Sequence, residues 1–441
     1  MAAHPLHRFL AAKARTLKSR AHRLTALNPA TVGLRPQDLR HAPSRAHFEA
    51  ANRRLASIDA VIRQRLEELD RIGSRATPSD RLLALAMVER EIDRARRCFG
   101  MFFEVFAQRG SAFAPALAAH DAIAADCYAA VRKAAPRIFP GPLLAPLTYL
   151  EHGYSPMTMR RGVTLGRLMG ERNPFPLIRV PWDREKPWQA TFLHEVAHNL
   201  QADLGLWEEN RHALLERLVT EDLPARAISV FGRWHKEIFA DLAALLLGGP
   251  AVGWGMAEFL AHPEDKVMTY RPGGAHPTGL LRGLILVEAM RSMGFAREAG
   301  ALDAVWRGLY DPRRGHRIPP VLLDAAPRAI PALVDEILYQ PRRSLSERSL
   351  ARIIPFTAAD QAAIEAGGRT LVAGSVPTGL PPRFLVSACR YAFTGGADII
   401  TASQQIIAHL TRAKASAPAR ILPTPTVSAP RAPAPASRRA A

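Results

Sequence analysis

The sequence predicts a mostly helical α+β protein. Three observations lead there. Ala and Leu are abundant while β-branched residues are scarce, a balance that favours helices over sheets. Apolar residues recur at three- and four-residue spacing along most of the chain. Strand-like runs are confined to one stretch punctuated by Pro and Gly, residues 136–184. With 441 residues, 48% of them hydrophobic, the chain can bury a sizeable core as two or three domains or one large helical one.

Residues 1–45 read as a basic N-terminal arm, with nine Lys/Arg and a single acid, Asp38. The arm has no apolar run of the secretory type. It reads as a disordered or loosely helical lead-in, an organellar transit peptide or a membrane-surface helix. Residues 46–135 form a helical bundle region. Leu55, Ile58, Ile62, Leu66 and Leu69 mark one face of its first helix, over 48–72. Thr77-Pro-Ser-Asp then breaks the pattern, with Ser79 or Asp80 as cap of a helix running toward Phe106. A third helix covers roughly 113–135.

Residues 136–310 form the next region. It opens with two expected strands, 146–150 and 176–180, and returns to helix from 186. Residues 311–412 form a C-terminal helical region in three or four pieces separated by Pro and Gly. Residues 413–441 are Ala, Pro, Ser and Arg without an acid. They lack the apolar surface to offset ordering entropy and read as a disordered tail.

The net charge is +19, nearly all from Arg. A partner with phosphates, nucleic acid or an anionic membrane surface, is one reading. Compositional bias is the other, because Arg, Ala and Pro are enriched together and no long basic block exists. Cys98, Cys127 and Cys389 are odd in number and far apart, which argues against a disulfide framework and fits the cytoplasm. A nucleophilic Cys127 or Cys389 has little support. No run of 18 apolar residues exists, so no transmembrane helix is expected.

The chemistry concentrates at residues 194–198, His-Glu-Val-Ala-His. Composition alone predicts roughly 0.025 chance occurrences of this pattern. It lies within an expected helix from Pro187 to a C-terminal cap at Gly205, preceded by Asp183 and Glu185. Trp188, Phe192, Val196, Leu200 and Leu204 give that helix its apolar spacing. His194 and His198 lie four residues apart, so both imidazoles leave one face, as two ligands of a tetrahedral Zn2+ require. Glu195 stands beside them, placed to take a proton from water. The alternative is a buried helix with two satisfied histidines.

Zinc needs a third protein ligand, and three candidates remain: His212, His235 and Glu237. Glu237 is the best. The run from Ile238 to Leu247 is almost wholly apolar and ends at Gly248-Gly249-Pro250, so the helix is buried. An unpaired carboxylate there costs several kcal/mol, which a metal offsets. Asp241, on the same face, is placed to accept the second ring N–H of a ligand histidine. The competing reading starts the helix near Glu237 and lets both acids favour its dipole. Downstream, Tyr270, His276 and Arg282 flank a loop entering another helix, each a candidate for stabilising an oxyanion.

His194-Glu-x-x-His198, Glu237-x-x-x-Asp241 and His276-Pro-x-x-x-x-Arg282, in that order, resemble the gluzincin zinc peptidases. The pattern is most similar to the prenyl-protease-type and heat-shock membrane peptidases and their soluble relatives. It covers roughly residues 175–290. The resemblance implies a zincin-like core in 136–310 and one zinc ion on His194, His198 and Glu237. It implies Glu195 as general base, His276 near the metal, and residues 176–180 as a strand that pairs with substrate peptide. Leu204 stands where a metzincin has its third His, which excludes that class. The chain departs from the membrane members in lacking transmembrane helices. The function expected is zinc-dependent peptide hydrolysis. The rivals are a nucleic-acid-associated zinc protease with His212 or His235 as third ligand, and a non-catalytic scaffold with a structural metal.

Overall fold

The computed structural model describes residues 5–21, 26–72, 76–139, 143–151, 157–162, 172–181, 190–311 and 317–415. Asp183, Glu185, Pro187 and Trp188, expected to open the metal-site helix, lie outside the described residues, as do residues 416–441 of the expected tail.

The fold is mostly α-helical, 72% helix and 4% strand. The N-terminal part holds α1 (Pro5–Ala21), α2 (Arg45–Arg71), α3 (Pro78–Ala107) and α4 (Ala114–Ala134). Three short strands follow: β1 (Leu147–Leu150), β2 (Met157–Met159) and β3 (Leu177–Val180). The central helices are α5 (Ala190–Asp203), α6 (Leu206–Thr220), α7 (Ala225–Gly248), α8 (Pro250–Leu260) and α9 (Glu264–Val267). Then come α10 (Gly279–Ser292), α11 (Ala296–Leu309) and α12 (Pro320–Leu338). The chain closes with α13 (Leu350–Ile353), α14 (Ala358–Val372), α15 (Pro382–Thr394) and α16 (Ile399–Ala415).

The helices begin where the sequence offers caps. Thr77 caps α3: its Oγ1 accepts from the Asp80 amide while the Asp80 carboxylate accepts from the Thr77 amide. The cap is therefore Thr77, not Ser79 or Asp80, because Asp80 sits one turn in. The basic arm is no loose lead-in over its described residues. Leu10, Leu17 and Ala21 of α1 are buried against α3, and Lys13 and Lys18 reach Glu89 and Asp70 at 2.9 and 2.8 Å. The C-terminal region holds more helical pieces than expected, and α16 continues to Ala415.

The sheet has the order β1-β3-β2, parallel between β1 and β3 and antiparallel between β2 and β3. Its residues alternate between two cores, as strand geometry requires. Leu147, Tyr149 and Leu177 join α2 and α3 in one apolar cluster. Leu150, Ile178 and Val180 join the larger cluster built on α5, α7 and α10. The sheet is thus a partition between an N-terminal helical layer and the main helical body. Asp121 ties α4 to it. Its Oδ1 accepts from both the amide and hydroxyl of Thr148 at 2.9 Å, and the buried Arg109 pairs with it at 3.0 Å.

β3 was expected to pair with substrate. It is the central strand, and its two edges are already taken by β1 and β2. β2 is too short and too weakly patterned to be foreseen. It is one of the two edge strands among the described residues and carries Met157 and Thr158 toward the cavity described next.

Candidate metal centre

α5 and α7 pack together and bring the predicted ligands to one point. Leu193, Val196, Ala197 and Leu200 on α5 and Ile238, Leu242 and Leu245 on α7 are all fully buried in one apolar cluster. Gly205, at φ +71, ends the α5 segment, as expected for the cap position. α7 begins at Ala225, so Glu237 and Asp241 lie well inside it. Their carboxylates therefore cannot be explained by the dipole of a helix start.

Two imidazole nitrogens and one carboxylate converge. His194 Nε2 lies 3.4 Å from Glu237 Oε2, and His198 Nε2 lies 3.4 Å from Glu237 Oε1. One donor atom from each residue falls within 4.8 Å of the others. The two imidazole rings stand 4.6 Å apart at 84°. Donors of these types this close together could hold a metal ion. The expected alternatives fall away. His212 is exposed on α6, and His235 turns its Nδ1 to the Gly232 carbonyl at 2.8 Å. Neither belongs to the cluster.

Asp241 is wholly buried behind His194. Its Oδ1 accepts from His194 Nδ1 at 2.8 Å, because a carboxylate has no proton to give. That bond fixes the tautomer and leaves Nε2 directed at Glu237. Arg282 Nε and Nη2 both donate to Asp241, the latter at 2.8 Å. Arg282 was expected among the oxyanion candidates. Its guanidinium is instead buried and committed to Asp241, so it positions the carboxylate that positions His194.

The charges follow from this arrangement. Burial alone would push the His194 pKa down, but the Asp241 charge and the hydrogen bonds His194 donates to Asp241 and Glu237 raise it to about 9. Burial opposes the Glu237 charge, yet hydrogen bonds from His194 and His198 hold its carboxyl far below the ordinary range. Burial likewise opposes the Asp241 charge, and Arg282 outweighs it.

The cluster lines a cavity of about 450 Å3, with Glu195, Thr191, Arg282, Met256 and Phe259 on its walls. His276 lies at its open side. Its Nε2 is 3.3 Å from Glu237 Oε2, while its side chain is 67% exposed. The loop bearing it is tied to α7, since Trp234 Nε1 donates to the Gly274 carbonyl at 3.1 Å. Tyr270 does not reach the cavity. Its hydroxyl accepts from Arg233 Nη2 at 3.0 Å and its ring packs on Trp234.

Sequence reasoning missed the cationic wall. Arg160, Arg179 and Lys236 line the same cavity, and Trp207 stands among them. Lys236 adjoins Glu237 in sequence. Arg160 and Trp207 come from separate elements and carry no local pattern.

All three cysteines are buried and unpaired. Burial pushes the Cys98 thiol up to about 12 and the other two further, the opposite of an activated nucleophile. Among the described residues no helix is long and apolar enough to cross a membrane. Comparison with known protein families, curated proteins and solved structures finds no match. The functional reading therefore rests on the geometry of the site.

Proposed function

We propose that this chain is a zinc-dependent peptidase whose metal is held by His194, His198 and Glu237. The observation that carries the reading is their convergence in an open cavity that also holds Glu195, with Asp241 locking His194 from behind. A metal needed only for folding is usually closed off by a fourth protein ligand. Here three donors form the group, and the side toward His276 is open.

Zinc bound there supplies Lewis acidity, which polarises a carbonyl and makes water more acidic. The remaining work belongs to side chains. A Glu195 carboxylate oxygen takes the proton of the attacking water and returns it to the leaving amine. His276 donates from Nε2 to the oxyanion that develops on the scissile carbonyl. An extended peptide adds to the outer edge of β2, an edge strand that lines the cavity. Arg282 and Asp241 touch no reacting atom and set the orientation of His194.

The test combines metal analysis with cleavage. The wild-type protein is expected to bind one zinc and cut peptides in a broad library. Glu195→Gln should keep the zinc and lose turnover. Glu237→Ala should lose both. Full zinc retention by Glu237→Ala would overturn the ligand assignment, and a zinc-loaded wild type that cuts no peptide would overturn the enzyme reading.

A further inference from the structure

Positive charge collects on one part of the cavity wall. Arg160 follows β2, Lys236 precedes Glu237 on α7, and both rest on Trp207 in the first turn of α6. The Arg160 Cζ lies 3.9 Å and the Lys236 Nζ 3.7 Å from the Trp207 ring centroid. These contacts hold two long, flexible side chains in place without neutralising them. Among the described residues, neither has a carboxylate within 4.0 Å. Arg179 is also on the wall, in a loose pair with Glu151 at 3.8 Å. The acids lining the cavity are Glu195 and Glu237, and Glu237 is already matched by His194 and His198.

Two partly buried cations held close together are costly unless something balances them. The Trp207 ring supplies some attraction, but no anion. Both cations face the cavity, where an anionic ligand can reach them.

We propose that the cleft selects peptides carrying a carboxylate close to the scissile bond, seated on Arg160 and Lys236 beside Trp207. This rests on the peptidase reading, and it names the substrate class. The carboxylate is an Asp or Glu side chain or the free α-carboxylate of a C-terminal residue. Lys236 is the immediate neighbour of the ligand Glu237, so the charge it meets lies near the bond that is cut.

The experiment uses full-length, zinc-loaded Glu195→Gln protein and fluorescent peptides in matched sets. One set replaces internal Asp or Glu by Asn or Gln. The other replaces a free C-terminal acid by its amide. Each acidic peptide that fits should bind about ten- to a hundredfold more tightly than its neutral partner at low salt, and the set that shows the difference identifies the source of the carboxylate. The ratio should fall toward one in Arg160→Gln and Lys236→Met. Lys236→Glu should favour Lys-containing peptides, a gain that a misfolded protein cannot produce. Equal binding of acidic and neutral peptides overturns the proposal. So does a preference that survives both neutralising variants, or one seen for an oligonucleotide and not for acidic peptides. Wild-type cleavage separates the two ideas. Equal kcat/KM for both members of every pair defeats the acidic preference and leaves the peptidase reading intact. An acidic binding preference without any cleavage defeats the peptidase reading and leaves the anion site intact.

Discussion

His194 Nδ1 and Asp241 Oδ1 lie 2.8 Å apart at the buried back of the cluster, with His194 Nε2 directed toward Glu237 on the cavity side. The contact joins α5 to α7 and determines which nitrogen is left for a metal. Removing the carboxylate should therefore act on metal binding and on folding at once. Asp241→Asn is expected to weaken zinc affinity by about 10- to 100-fold, the usual effect of losing such a partner. Asp241→Ala also strands the buried Arg282 guanidinium and should cost about 3–5 kcal/mol of stability. Adding Arg282→Met to Asp241→Ala should recover part of that stability but not the zinc affinity. Chelator competition and denaturant unfolding read the two effects separately. Unchanged zinc affinity in Asp241→Asn would rule out the positioning role.

Much of this centre was legible because helical spacing is a local signal. A spacing of four from His194 to His198, and of four from Glu237 to Asp241, puts each pair on one helix face whatever the rest of the fold does. The apolar run after Glu237 signalled burial, and burial made a lone carboxylate there improbable without a partner. Arg282 was placed in the wrong role for a related reason. The sequence shows a cation near the site, but not that Asp241 needs two partners and that Arg282 is the second. β2 was invisible because Met157-Thr-Met is too short to establish a period of two. Arg160, Trp207 and Lys236 meet only through tertiary packing, so nothing in the chain order links them.

Glu209 offers a test of pH dependence away from the metal. It lies on α6, and its two carboxylate oxygens accept from the Arg343 amide at 2.6 Å and the Ser344 amide at 3.1 Å. Burial raises its pKa, but the hydrogen bonds from Ser344 and Arg343 outweigh that and lower it below 4.5. A lowered folded value means that the charged form stabilises the fold. That contribution is complete above the unfolded value and is lost as pH falls through the folded one. Glu209→Gln should therefore cost about 1 kcal/mol at pH 7. The gap from wild type should close as pH falls through the lowered folded value. Denaturant midpoints at pH 7, 5 and 3.5 check this. A gap that is constant across the series would show that the carboxylate charge is irrelevant.

Gly249 is constrained in two ways at the α7–α8 junction. Its backbone sits at φ 72° and ψ −163°, a region that side chains disfavour. A Cβ there would also lie 2.1 Å from Phe356 Cζ. Gly249→Ala is expected to destabilise the protein by about 2–5 kcal/mol, combining strain with overpacking. Phe356→Leu in the same chain should relieve the clash but not the dihedral, and so restore only part of the loss. A full rescue would place the whole penalty on the ring contact, and a loss under about 0.5 kcal/mol would mean the junction relaxes freely.

Tyr270 and His276 stand close in sequence and were equal candidates for the oxyanion, yet the structure separates them. The Tyr270 hydroxyl is bound by Arg233 and does not line the cavity, whereas His276 Nε2 faces Glu237 across its open side. If His276 donates to the oxyanion, its contribution appears in the transition state and not in ground-state binding. His276→Ala should then lower kcat by about 10²- to 10³-fold, with KM changed little and zinc retained. Tyr270→Phe removes a hydroxyl that accepts from Arg233 away from the cavity, and kcat should stay within about twofold of wild type. Steady-state kinetics on one cleaved peptide, with zinc content measured for each variant, decides between them. A loss of kcat in Tyr270→Phe matching that of His276→Ala would mean that the loop closes further over substrate than the free protein shows. An unaffected His276→Ala would remove His276 from the reaction and leave the metal and Glu195 to carry it.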